Sequence, residues 1–200
     1  MRTTPARHHR PLALSGPARD AAAHGRRPEH GLGLVELLVV LAIAATLLAS
    51  ALQAMRGIGQ RHALESVAAL LETDLRLARA MALAQDAPLR FEVQVPAAQS
   101  SCYLIYSGPA GSCSCRSDGT ASCQAGGRTW RAAAQPAEDG VRILHSGRPL
   151  LFDPGKGTVT PTATLVVTDR DGLAIHQIVN LMGRVRSCSP QGVGGLRACS

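Results

Sequence analysis

From Leu34 to Met55 the chain is apolar, with a single ionisable side chain, Glu36, near the start. As a helix this run extends about 33 Å at ~1.5 Å per residue, which matches a hydrocarbon core roughly 30 Å thick. Residues 1–31 carry six arginines against Asp20 and Glu29, a net charge of +4 within a total of +7. A cationic flank beside an apolar span belongs on the cytoplasmic side of a membrane. Arg56 and Arg61, just past the span, weaken this bias without reversing it. A carboxylate at membrane depth is costly to bury, so Glu36 calls for a functional role and a cationic partner.

The segment admits three readings. An ordinary secretory signal would use Ala49-Ser50-Ala51 as its small-residue cleavage site, but it leaves an acid at the start of its apolar core. A plain signal anchor also leaves Glu36 unexplained, and Arg26-Arg27 lacks the residues of a twin-arginine signal before Gly31. The third reading rests on the context His30-Gly31-Leu32-Gly33-Leu34-Val35-Glu36, which resembles the processing motif of type IV pilins and pseudopilins. The resemblance implies cleavage by a prepilin peptidase after Gly31 and N-methylation of the new terminus, Leu32. It also implies that Glu36, then fifth in the mature chain, pairs with the α-amino group of a neighbouring pilin subunit during assembly. The chain departs from the motif at Leu32, Gly33 and Val35, where the family usually has Phe, Thr and Ile.

Past the span, Gly57 and Gly59 are expected to weaken the helix. Leu64, Val67, Ala68, Leu71, Leu75, Ala78 and Ala82 then follow three- and four-residue steps and form one apolar stripe. Asp86-Ala87-Pro88 is the predicted end, because the residue before proline disfavours α geometry. Beyond it the pattern turns to β. Strands are expected at Leu89–Val95, Cys102–Ser107, Arg128–Ala132, Val141–His145, Leu150–Asp153, Ala163–Thr168, Ala174–Leu181 and Arg184–Cys188. Ser107–Gly127, rich in Gly, Ser and Cys, reads as a loop, and Asp171-Gly172 as a hairpin tip.

The expected organisation is therefore a leader (1–31), a transmembrane and assembly helix (32–55), a distal helix packed on a head (56–88) and a β-rich periplasmic head (89–200). That is an α+β plan, and it resembles the pilin-like fold. Phe152-Asp153-Pro154-Gly155-Lys156-Gly157, Leu181-Met182-Gly183-Arg184-Val185-Arg186-Ser187-Cys188 and Leu77-Ala78-Arg79-Ala80-Met81-Ala82 narrow the likeness. With them, most of residues 31–188 resembles minor pseudopilins of the GspH/FimT type.

Arg184 and Arg186 lie two apart on a predicted strand and so share a face. Two guanidinium forks on one face suit successive phosphates, since each donates two parallel hydrogen bonds. No acidic residue follows Asp171, which leaves Arg184, Arg186 and Arg197 as an undiluted positive tail. FimT-like members bear Gly-Arg-x-Arg near the C-terminus, and the resemblance implies DNA binding during natural transformation through Gly183, Arg184 and Arg186. Lys156 and Arg197 are candidate supports. A plain edge strand kept from self-pairing by its charge would carry the same residues. The alternative assignment is a structural pseudopilin of a type II secretion system with no nucleic-acid role.

The chain has six cysteines, an even count in an exported protein, which argues for disulfides. Cys188 and Cys199 are the expected pair. Cys102, Cys113, Cys115 and Cys123 leave three arrangements open, and Cys113-x-Cys115 lacks the two-to-four-residue gap of zinc knuckles. With five aromatic residues in 200, such staples would offset a core built mostly from aliphatic side chains. His145 and His176 read as ordinary strand residues. Gly155-Lys156-Gly157 lacks the spacing of a phosphate loop, and neither a Gly-x-Ser-x-Gly elbow nor a His-Glu-x-x-His pair occurs. Neither a catalytic role nor a cofactor is expected.

Overall fold

The computed structural model describes residues 33–96, 100–116 and 118–199. Gly31 and Leu32, the expected cleavage and methylation positions, lie outside the described residues. The chain divides into two units, Met1–Ala44 and Ala45–Ser200. The first is described by the opening turns of α1, and the second holds the rest of α1 and the β-rich part.

Helix α1 runs from Leu34 to Gln85. Its residues 34–52 are all exposed, and by length and composition this stretch can cross a membrane. Gly57 and Gly59, expected to weaken the helix, lie within one continuous helix. Two glycines cost about 1 kcal/mol each relative to alanine, and good helix formers on both sides carry the helix through. Further on, Leu64, Ala68, Leu71, Leu75, Ala78 and Ala82 are buried, with Val67 packed beside them. The helix ends when Asp86 takes a left-handed conformation (φ 46°) and the Ala87 amide reaches back to the Ala82 carbonyl. A short polar residue tolerates that position, and Pro88 prevents continuation.

Two antiparallel sheets follow. The first contains β1 (Leu89–Gln94), β2 (Ser101–Ser107), β5 (Arg128–Gln135), β7 (Leu150–Phe152) and β8 (Val159–Thr160), in the order β5-β2-β1-β7-β8. The second contains β6 (Arg142–Leu144), β9 (Ala163–Thr168), β10 (Ala174–Val179) and β11 (Val185–Cys188), in the order β11-β10-β9-β6. The α1 stripe, Phe91, Tyr103, Ile105, Phe152, Ile143, Leu165, Val167, Ile175 and Val179 share one core. The chain is thus a long N-terminal helix followed by an antiparallel β-rich head, the pilin-like α+β plan.

The span Ser107–Gly127 is more ordered than a loop. It holds a small hairpin, β3 (Cys113–Cys115) with β4 (Ala121–Cys123). Cys113 joins Cys123 within it, and Cys102 of β2 joins Cys115. This flap packs on Leu104, Tyr106 and Ala132 and makes a second, smaller core. It covers the face of the first sheet turned away from α1. Strands of three residues made of Cys and Ser carry no alternation, so neither they nor the two-residue β8 were foreseen.

Candidate functional site

The two arginines singled out in the sequence sit on the hairpin that joins β10 to β11. Asn180 organises its turn. The Gly183 amide donates to the Asn180 carbonyl (2.9 Å), the Asn180 amide to the Arg184 carbonyl (3.1 Å), and the Arg184 amide to Asn180 Oδ1 (2.9 Å). Gly183 is buried with φ 68°, and a Cβ there would lie 2.6 Å from Arg79 Cδ and 3.1 Å from Val159 Cγ2. Its place in Gly-Arg-x-Arg is thus dictated by packing and backbone conformation.

Arg184 and Arg186 project to the outer side of the second sheet. Their neighbours on the inner side settle this. Val185 packs on the core, and the single Ser187 Oγ proton is shared between Glu72 Oε2 of α1 (2.7 Å) and Gln177 Oε1 (2.9 Å). Alternation then turns Arg184 and Arg186 outward, and both are exposed. Successive same-face positions on a strand are about 6.8 Å apart at ~3.4 Å per residue. Among the described residues neither guanidinium meets a carboxylate, whereas Arg76 pairs with Glu72 and Arg131 with Asp74. An unpaired fork keeps its donors for an anion.

Lys156 lies on the neighbouring β7–β8 turn, where its amide donates to Asp153 Oδ1 (3.0 Å) and its side chain is exposed. The two turns are tied together by the Val159 amide on the Leu181 carbonyl (2.8 Å). Arg79 supports both, packing under Gly183 and donating from Nε to the Gly157 carbonyl (3.2 Å). Arg197 sits past the other end of β11, its carbonyl accepting the Ser189 amide (3.0 Å).

Cys188 and Cys199 are bridged. The tail they close is also held by buried Ser189, whose Oγ donates to the Ala174 carbonyl (2.8 Å) and accepts from the Val193 amide (3.1 Å). Gln191 adds bonds to the Gly172 carbonyl and from the Ala174 amide. Sequence reasoning missed Ser189 and Gln191, because a Ser-Pro-Gln run carries no sign of its distant partners. His176 lies near both sulfurs of this bridge, but a disulfide offers no thiolate to a metal. His145 follows β6, and its Nε2 lies 3.3 Å from the Arg148 carbonyl.

Behind the site, two polar clusters lock α1 and the flap to the first sheet. Asp74, only 2% exposed, accepts the Tyr103 hydroxyl (2.6 Å) and Arg131 Nε on one oxygen. Burial, then the Asp74 carboxylate, raises the Tyr103 pKa well above its usual value. Tyr106 donates to Glu92 Oε2 (2.6 Å) and accepts the Gly111 amide (3.1 Å) from the flap. Burial and the Glu92 hydrogen bond push its pKa up to about 12. Glu36 lies in the first turn of α1, where the helix dipole favours a negative charge.

A family model described as type II transport protein GspH matches residues 67–183, which takes in the packed stretch of α1 and the head up to Gly183. A second, the prokaryotic N-terminal methylation motif, matches residues 26–52 and so brackets Gly31, Leu32 and Glu36. No curated protein and no solved structure matches the chain significantly.

Proposed function

Because this chain belongs to the GspH family of type II transport proteins and carries the N-terminal methylation motif, we propose that it is a non-catalytic minor subunit of a type IV pilus whose head captures DNA. The family and the motif make it a membrane-anchored, single-pass, pilin-like protein, a substrate of prepilin peptidase and a partner of other pilins or pseudopilins. On our reading, cleavage after Gly31 and methylation of Leu32 leave the helix in the inner membrane and the head in the periplasm. Glu36 then guides the subunit into a filament by meeting another chain's ammonium group. Arg184 and Arg186 grip successive phosphates, aided by Lys156 and Arg197.

The observation that carries the DNA reading is the pair of exposed, carboxylate-free guanidiniums of Arg184, just before β11, and Arg186 within it. Contacts of this kind do not read bases, so binding is independent of sequence and sensitive to salt. The test is fluorescence anisotropy of a random-sequence duplex with the full-length chain in detergent micelles, over a range of salt. Replacing both Arg184 and Arg186 by Ala should lower the log–log salt slope by about 1.8, or ~0.9 per phosphate, and weaken binding roughly 60-fold near 0.1 M salt. Unchanged affinity in the double variant refutes the role given to this pair.

The description of the matched family, type II transport, favours a second reading: a structural pseudopilin of a type II secretion system. Wild-type protein with no measurable affinity for DNA at low salt would assign the chain to that reading.

A further inference from the structure

We propose that the outer face of the second sheet is a track for a polyanion, running diagonally from Arg184 and Arg186 past His176 to Arg142. Bound DNA would then cross four strands instead of resting on the hairpin alone. This inference rests on the DNA reading above and extends it to a residue 42 positions before Arg184.

The two sheets are finished differently on the sides turned away from α1. The first carries the disulfide-stapled flap. The second sends Ile143, Leu165, Val167, Ile175 and Val179 into the main core, and its other side carries no such flap, although the Cys188–Cys199 bridge of the C-terminal tail lies beside His176 there. The register lays out that outer side. Arg186 stands opposite Ile178, His176 opposite Cys188 and Val166, and Arg142 opposite Thr168, which itself faces Ala174. Each step from Arg184 through Arg186 and His176 to Arg142 therefore moves along the strands, across them, or both.

The length of the track follows from sheet geometry. Six residues of rise at ~3.4 Å and three strand spacings of ~4.8 Å give a diagonal of about 25 Å. That covers roughly seven base pairs of duplex at ~3.4 Å each. The strand positions alternating outward, from Arg142 on β6 to Arg186 on β11, include neither Asp nor Glu. The Arg142 side chain makes no ion pair or hydrogen bond among the described residues. Between the cations, half-exposed Val166 and Ile178 form an apolar floor suited to sugar edges. The track stops where acid returns, at Glu138, Asp139 and Asp171 in the segments flanking the Arg142 edge. A positive diagonal with an acid-free floor, bounded by acid at its Arg142 end, fits a polyanion better than the apolar patch of a neighbouring subunit.

The experiment adds three variants to the same anisotropy series on the full-length chain. Arg142→Ala should weaken duplex binding about eightfold near 0.1 M salt and lower the salt slope by about 0.9. Arg142→Lys should recover most of both. Thr168→Lys, which adds a cation beside Arg142, should tighten binding, and this readout does not depend on how the Arg142 variants fold. Arg116→Ala, on the flap of the other sheet, serves as the control and should leave both quantities unchanged. If Arg142→Ala and Thr168→Lys match wild type while the Arg184/Arg186 double variant has lost affinity, the track is refuted and the DNA reading stands. Equal losses in Arg116→Ala and Arg142→Ala would reveal a net-charge effect and refute the track as well. A wild-type chain that binds no duplex removes the DNA reading and the track with it.

Discussion

Gly183 shows how a proposed binding motif can contain a residue that packing and backbone conformation dictate. Its φ of 68° and the 2.6 Å approach of Arg79 to its missing Cβ leave room for hydrogen alone. Gly183→Ala should destabilise the head by about 1–3 kcal/mol, the usual cost of a strained backbone position, read as a lower midpoint in denaturant. The loss should appear without DNA present, unlike the loss from Arg184→Ala. Tyr106 gives a second test at this scale. Its pKa is raised to about 12, above the unfolded value near 10. Between pH 10 and 12 the unfolded chain therefore releases a proton that the folded head keeps, so this contribution to stability is present below pH 10 and lost as pH rises to 12. Thermal melts should fall more steeply over that window in wild type than in Tyr106→Phe, with allowance for Tyr103, whose pKa is also raised.

At the scale of elements, the contrast is between the helix, which was legible, and the flap, which was not. The stripe from Leu64 to Ala82 repeats every three or four residues, and each member can be placed without knowing what it packs on. The flap depends on Cys102 meeting Cys115 and Cys113 meeting Cys123, one of three pairings that spacing alone leaves equal. Gln94 completes it, donating to the Cys113 carbonyl (3.1 Å) and accepting the Cys115 amide (2.8 Å). Removing the Cys113–Cys123 bridge by double Ser substitution should cost about 2–4 kcal/mol. Hydrogen exchange should then show β3 and β4 losing protection while β9 and β10 keep theirs, because the flap's buried cluster is made with the first sheet.

For the whole molecule, the apolar span and the methylation motif set what the chain can be, a membrane-anchored pilin-like subunit, and in the function proposed above Glu36 meets a neighbour's ammonium group. Processing is the prediction that belongs here. Edman degradation of protein from its native host should begin at Leu32 with a methylated residue. A start near Leu52 would instead indicate an ordinary secretory signal. Glu36→Ala should leave the head's thermal midpoint unchanged and reduce recovery of the subunit in sheared filaments. An unchanged yield would remove the assembly role of the carboxylate.

The amino-acid sequence by itself determined the membrane span, the acid within it, the buried stripe of α1 and the shared face of Arg184 and Arg186. Each is a local matter of a few residues, expressed through hydropathy and the periods of 3.6 and 2. Only the tertiary structure decided which cysteines pair in the flap, that Asp74 lies under Tyr103 and Arg131, 29 and 57 residues away, and that Arg142 stands on the same sheet as Arg186, three strands away. Those depend on strand order and register, which join segments whose own residues carry no mark of their partners.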